Sequence, residues 1–262
     1  MAKEMAVLNA HSVLVTGSNR GIGLELIKQL VVKSNKPEWI FATCRDPEGS
    51  CAQELKNLAA KHHGLEIIQM DTRDPSSIQA AVARVTERLK GAGLNLLINN
   101  AGILNLSTLE SETPQSMSEV YTTNVIGTMI VTQAFLPLLK KAAQESPRKG
   151  MSCSKAAIIN VSSEAGSIKN ILVWDEGQII GYRCSKAALN MLTRCQSLGY
   201  TKDKILCIAL HPGWLQTDMG NKLGQPPLTV DFSVREILST LARLSEKENG
   251  ALVNLDGKVL PW

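Results

Sequence analysis

Val13-Leu14-Val15-Thr16-Gly17-Ser18-Asn19-Arg20-Gly21-Ile22-Gly23 is the stretch that decides the fold. A short β-branched run passes through three glycines into Gly21–Lys33, whose apolar residues recur at helical spacing. Strand, tight turn and helix follow one another. Gly17 lacks a Cβ, tolerates positive φ and can turn the chain sharply. Gly21 lets the backbone approach a pyrophosphate, and Gly23 lets the helix pack close to the sheet. The unpaired N–H groups and positive dipole end of that helix then suit a phosphate. The spacing G-x-x-x-G-x-G is one residue longer than the usual dinucleotide fingerprint. Gly17, Ser18, Asn19, Arg20, Gly21, Ile22 and Gly23 are therefore expected to bind a cofactor.

Outward from this turn, short apolar runs alternate with amphipathic stretches. Strands are expected at Ser12–Thr16, Trp39–Cys44, Leu65–Met70, Leu94–Asn99, Ala156–Ser162, Ile205–His211 and Ala251–Asn254. Their near-continuous apolar content suits a parallel sheet buried on both faces. Helical patterns cover Gly21–Lys33, Ser50–Lys61, Pro75–Lys90, Met117–Lys141, Tyr182–Gly199 and Ser233–Leu244. The alternation predicts an α/β fold: one doubly wound parallel sheet of Rossmann type with helices on both faces, as a single domain over 1–262. Ala142–Lys155 reads as a solvated loop. Ser167–Gly181 (SIKNILVWDEGQIIG) is irregular, and either lines a pocket or covers a core edge.

Composition narrows the function. The 262 residues are 44% hydrophobic and 20% charged, which excludes global disorder and supports a large core. A net charge of +4 is too weak, and too little clustered, to argue for nucleic acid or membrane binding. No uninterrupted apolar stretch of about 18 residues is present, and MAKEMAVLNAHSVLVTG lacks the pattern of an export signal. A cytoplasmic location is the expectation. Cys44, Cys51, Cys153, Cys184, Cys195 and Cys207 show no C-x-x-C spacing. Buried or half-buried free thiols are expected, and no metal site.

The second strand chooses the cofactor. It ends Thr43-Cys44-Arg45, with an uncharged cysteine where an NAD-binding chain usually presents an acid to the 2′-hydroxyl. Arg45 and Arg20 suit a 2′-phosphate instead, through charge-assisted bonds. Asp46 falls one position further on and should point elsewhere. The expected cofactor is NADP(H). Asp71 and Thr72 end the third strand, where a carboxylate suits an adenine amino group, with helix capping as the alternative for Asp71. Asn100, Ala101 and Gly102 follow the fourth strand and let the chain pass close to a ribose.

Tyr182-Arg183-Cys184-Ser185-Lys186 places a tyrosine and a lysine on one helical face. An ammonium favours the phenolate, lowers the phenol pKa and suits the pair to exchange a proton with an alcohol or carbonyl oxygen. Chance produces this spacing on many surface helices, so its company matters. Ser162-Ser163 ends the fifth strand at the carboxyl edge, where a serine can bond a substrate oxygen. Asn124 could hold a water linking the lysine to solvent, or merely kink its helix.

Thr16–Gly23 (TGSNRGIG), Asn99–Gly102 (NNAG), Asn124, Val161–Ser163 (VSS), Tyr182–Lys186 (YRCSK) and His211–Met219 (HPGWLQTDM) stand in the order found in the short-chain dehydrogenase/reductase family, which the chain resembles over essentially its whole length. Within it the chain is most similar to NADPH-dependent carbonyl reductases of the Sniffer and C-factor type. The resemblance implies Tyr182 as general acid/base, Lys186 as its partner and ribose ligand, Ser163 as catalytic serine and Asn124 as a member of the proton relay. It also implies Pro212, Gly213 and Thr217 beside the cofactor, a small-molecule carbonyl substrate and a homodimer. Ser163 and Tyr182 are 19 residues apart, a longer gap than the family's usual one, with the excess in Ser167–Gly181. Trp174, Ile179, Ile180, Trp214 and Leu215 are expected to flank an apolar substrate mouth. Two alternatives are a cofactor-binding regulatory protein with little turnover, and an NADP-dependent alcohol or steroid dehydrogenase.

Overall fold

Val13 and Val15 face one core while Leu14 faces the other, so the first strand is buried on both sides. In the computed structural model, which describes residues 7–262, the same alternation recurs along the sheet. Met1–Ala6, part of the segment read for an export signal, lies outside the described residues.

Seven parallel strands form the sheet: β1 (Ser12–Thr16), β2 (Trp39–Cys44), β3 (Leu65–Gln69), β4 (Leu96–Asn99), β5 (Ala157–Val161), β6 (Leu206–His211) and β7 (Leu252–Asn254). They lie in the order β3-β2-β1-β4-β5-β6-β7, and a two-residue β8 (Val259–Leu260) pairs antiparallel with β7. The order reverses between β1 and β4. That switch point opens a crevice at their carboxyl ends, where doubly wound sheets bind ligands.

Helices α1 (Gly21–Val31) and α7 (Val230–Leu241) cover one face with Leu26, Ile27, Val234 and Ile237. On the other, α3 (Pro75–Leu89) and α5 (Thr128–Glu145) bury Ile78, Val85, Phe135 and Leu139 against Leu14, Leu97 and Ile158. The short α2 (Gln53–Ala59) follows a 3-10 turn at Ser50–Ala52. α4 (Pro114–Tyr121) and α6 (Ile180–Gly199) flank the crevice.

The helix expected at Met117–Lys141 is longer and composite. Thr113 caps α4, Thr122–Gly127 widens into a π-helical segment, and α5 runs through Pro137 to Glu145. This 32-residue run, Pro114–Glu145, is long and apolar enough to cross a membrane by length and composition. Yet 56% of its apolar window is buried in the fold, as in a core helix. The supposedly solvated Ala142–Lys155 is also partly interior, with Met151 and Cys153 buried in the core. β8 escaped notice because two residues carry no periodicity. All six cysteines are free. Cys44, Cys153 and Cys207 are buried, but Cys51, Cys184 and Cys195 are exposed, contrary to the expectation of burial. Among the described residues no cluster of three His, Cys, Asp or Glu side chains could hold a metal.

Phe135 is fully buried where α5 meets the sheet. Phe135→Ala should cost about 3–5 kcal/mol of unfolding free energy, read from urea denaturation. A loss under about 1 kcal/mol would contradict this packing.

Candidate active site

Gly17 adopts φ +67°, the left-handed turn expected of it. A Cβ on Gly23 would collide with the Gly17 carbonyl and the Asn100 amide, so only glycine lets α1 start this close to the turn. Asn100 braces the turn, its Nδ2 donating to the carbonyls of Thr16 (2.9 Å) and Gly17 (3.1 Å). Thr16 Oγ1 in turn accepts the N–H groups of Asn100 and Ala101. No side chain caps α1 and its first turn holds no acid, which leaves its N–H groups facing the crevice for an anion.

The crevice is a cavity of about 1400 Å³. One end is lined by Gly17, Asn19, Arg20, Gly21, Ile22 and Arg45, with Cys44 beneath them. Asp71, Thr72, Asn100, Ala101 and Gly102 continue its wall, and Pro212, Gly213 and Thr217 close it from the β6 side. Two residues expected at a cofactor stand apart. Ser18 is fully buried and donates its hydroxyl to Val15 O at 2.7 Å, so it serves the turn itself. Gly23 lies behind the wall as a packing residue. A cradle closed to a Cβ, an uncapped helix start and two guanidinium groups around an uncharged strand end fit a phosphorylated dinucleotide.

Electrostatics add detail. Arg20 meets Asp218 at 3.2 Å on an exposed surface. Asp46, expected to point elsewhere, also lines this end of the cavity, where its Oδ1 accepts the N–H groups of Glu48 and Gly49. The side-chain hydrogen bond from Arg73 is the main reason the Asp71 carboxyl lies below its usual range. Asp74, not Asp71, caps α3 by accepting Ser76 N–H, so the capping alternative for Asp71 does not hold.

At the other end the chemistry-bearing residues converge. Ser163 lies two residues past β5 and its Oγ accepts Ala165 N–H, capping the 3-10 turn Glu164–Gly166. Ser162 instead points inward at 2% exposure and donates to Asn190 Oδ1 at 2.5 Å. Tyr182 and Lys186 sit one turn apart on α6, the ammonium 5.5 Å from the phenol ring centroid. Lys186 Nζ donates to Val161 O at 2.8 Å. Tyr182 and Ser163 line the same stretch of the cavity. Burial pushes the Tyr182 phenol up to about 12, opposed by the neighbouring Ser163 hydroxyl, and pulls Lys186 down to about 8. The phenol is therefore raised and not lowered as expected, because burial disfavours its anion. Burial likewise brings His211 to about 4, and its Nδ1 accepts Glu164 N–H as a neutral imidazole.

Asn124 lies in the π-helical segment, outside the cavity wall. Its Oδ1 accepts Ile103 N–H, and its Nδ2 donates to Ile103 O and Ser185 Oγ, all at 2.9–3.0 Å. A Cβ added to Gly102 would touch both Asn124 Oδ1 and Lys186 Nζ, so the two residues are near neighbours. Ile179, Trp214 and Leu215 line the substrate end, as do Leu172 and Val173. Trp174 and Ile180 are not in that wall, since the Trp174 ring lies over the Arg183 guanidinium and Ile180 N–H binds Ser107 Oγ. Sequence reasoning missed Thr16, Asn190 and Arg183, whose contacts come from segments remote in the chain or from an irregular loop.

A family model described as short chain dehydrogenase matches residues 11–227. The NADPH-bound carbonyl reductase from chicken fatty liver shares 60% identity with the chain, over 99% of it and 97% of that structure, at a TM-score of 0.96. The carbonyl reductase Sniffer of D. melanogaster shares 40%, over 97% of the chain and 100% of its own, at a TM-score of 0.91. An uncharacterized oxidoreductase of Schizosaccharomyces pombe is 29% identical, spanning 95% of the chain and 96% of its own. The chain belongs to the short chain dehydrogenase family of oxidoreductases.

Proposed function

We propose that the protein is an NADPH-dependent carbonyl reductase acting on ketones, aldehydes or quinones. One observation carries the reading: Ser163, Tyr182 and Lys186 converge on the same cavity whose far end holds the glycine turn, Arg20 and Arg45. The likeness to the chicken enzyme, at 60% identity, supports the cofactor and the substrate class.

Gly17 to Ile22 and the start of α1 would hold the pyrophosphate, with Arg20 and Arg45 on the 2′-phosphate. Arg20 is now shared with Asp218, an exposed pair that a phosphate can outbid. When bound, NADPH supplies a hydride to the carbonyl carbon. Tyr182 keeps its proton at neutral pH and donates it to the carbonyl oxygen, which Ser163 holds. A phenol raised to about 12 suits this donating role better than a base's role. Lys186 would bind the nicotinamide ribose and its charge would ease loss of the phenol proton. Asn124 has both side-chain N–H groups engaged, so a relay water would use a remaining lone pair of Oδ1 or of the main-chain carbonyl. Exposed Ile126, Met191 and Leu198 on the helices flanking the site support the expected homodimer; light scattering in solution tests it.

Tyr182→Phe should abolish NADPH oxidation with quinone and aldehyde substrates yet retain NADPH binding; undiminished turnover would sink the assignment. Ser163→Ala should lower kcat by about 10²-fold or more. Ser162→Ala should leave kcat near normal and cost about 1–3 kcal/mol of stability, because Asn190 loses its partner. Arg45→Ala should weaken NADPH binding about 10- to 100-fold and leave NADH binding unchanged. The Lys186 charge is lost as pH rises through about 8, while Tyr182 stays protonated. The reductive rate should therefore fall on the alkaline side with a midpoint near that value, and a profile flat to strongly alkaline pH would contradict the role of the ammonium.

A further inference from the structure

The long gap between Ser163 and Tyr182 forms a strap over the substrate end of the cavity. Leu172, Val173, Glu176 and Gly177 of this strap are part of the wall. Between Ser167 and Ile179 it contains no helix or strand, and Leu172 and Val173 are half-exposed, so its own packing fixes it poorly. Two β-branched residues bracket it in the left-handed region, Val173 at φ +49° and Ile179 at φ +41°. Such conformations persist only where the surroundings impose them.

Arg183, the residue after Tyr182, imposes this one. It is 7% exposed, and its Nε donates to Gln178 O at 2.8 Å. Its Nη2 donates to Leu172 O at 2.8 Å and Gly177 O at 3.2 Å, with Val173 O at 3.5 Å. The Trp174 ring lies 5.7 Å from the guanidinium carbon. A single planar fork thus gathers carbonyls from both ends of the strap, which a lysine's compact ammonium would not reproduce. Its Nη1 is buried without a hydrogen-bond partner among the described residues. Burying a cation with an orphaned donor is a cost that stability alone does not explain. The strap has other ties: Gln178 Oε1 accepts Leu109 N–H, Ile179 N–H donates to Ser107 O at 2.9 Å, and Leu223 packs beside Gly177.

We propose that Arg183 is a positioning residue for substrate specificity: by clamping the strap Leu172–Gln178 it fixes the wall against which bulky apolar carbonyl compounds pack. The inference rests on the carbonyl reductase reading for its substrate class. Its geometry also couples specificity to the active site without touching the reacting atoms, since the clamp and the Tyr182 phenol share adjacent positions on α6.

The test compares the wild type with Arg183→Met, Arg183→Lys and Trp174→Ala. Phenanthrenequinone serves as the bulky probe and 4-nitrobenzaldehyde as the small one. NADPH affinity is read by fluorescence titration, and hydrogen exchange is followed over residues 172–178. Arg183→Met should raise KM for the quinone about tenfold or more while KM for the aldehyde, kcat and NADPH affinity stay within about threefold. Strap amides should exchange faster in step. Arg183→Lys should restore only part of the quinone KM, and Trp174→Ala should give a smaller shift in the same direction. Should the methionine variant not fold, the lysine and Trp174 variants carry the comparison. An unchanged ratio of the two KM values in folded variants overturns the proposal, as does a joint loss of kcat and NADPH binding. Failure of the wild type to reduce either probe would instead count against the carbonyl reductase reading, and strap exchange would still decide whether Arg183 is the clamp.

Discussion

A buried amide pair at the centre of the sheet sets the geometry on which the site depends. Asn99 and Asn160 face one another in the register of β4 and β5, and Asn99 Nδ2 donates to Asn160 Oδ1 at 2.9 Å. Asn99 Nδ2 also reaches Thr132 Oγ1 on α5, while Asn160 Nδ2 reaches Thr193 Oγ1 and Gln196 Oε1 on α6. Two strands and two helices thus share one polar network in a low-dielectric interior, where a slip of register would orphan several groups at once. Each arm leads directly to the site. Asn100 to Gly102 follow Asn99, Ser163 lies three residues past Asn160, and α6 carries Tyr182 and Lys186. The network spends little of its chemistry on catalysis and most on alignment.

Burial then tunes what alignment brings together. The same desolvation acts in opposite senses on a phenol and an ammonium, raising Tyr182 to about 12 and lowering Lys186 to about 8. A neutral phenol next to an ammonium that titrates near physiological pH is suited to donate a proton, with a stabiliser of its anion at hand. Neither value follows from spacing along a helix. The lysine's value requires knowing that Gly166 lies so close to α6 that a Cβ there would strike the Lys186 and Ala187 backbone, which helps leave Lys186 only 5% exposed.

Much of this was legible in the sequence, for physical reasons. Strands buried on both faces are continuous apolar runs, so β1, β2 and the glycine turn could be placed to the residue. Arg20, Arg45, Ser163, Tyr182 and Lys186 could be named because motifs carry them, and they do share one cavity. What stayed hidden was non-local or irregular. Ser18 sits inside the motif yet faces the core, because in a tight turn neighbouring side chains point in different directions. The π-helical segment at Thr122–Gly127 leaves no composition signal, though it is what carries Asn124 to Ile103 and Ser185. Trp174 looked like a pocket aromatic and is instead a cover for a buried guanidinium.

The irregular strap shows why the substrate was the least legible part. Strands and helices obey periodicities that a sequence displays. A segment held by one side chain's bonds to four backbone carbonyls shows none, since every residue owns a carbonyl and the composition of the acceptors is immaterial. The chemistry of the reaction is encoded in side-chain identities, which can be read. The shape of the substrate end is encoded in main-chain conformation, set here by Arg183 and by two strained β-branched residues. Reaction type and substrate choice are thus written in different parts of the chain, and only the first is written in motifs.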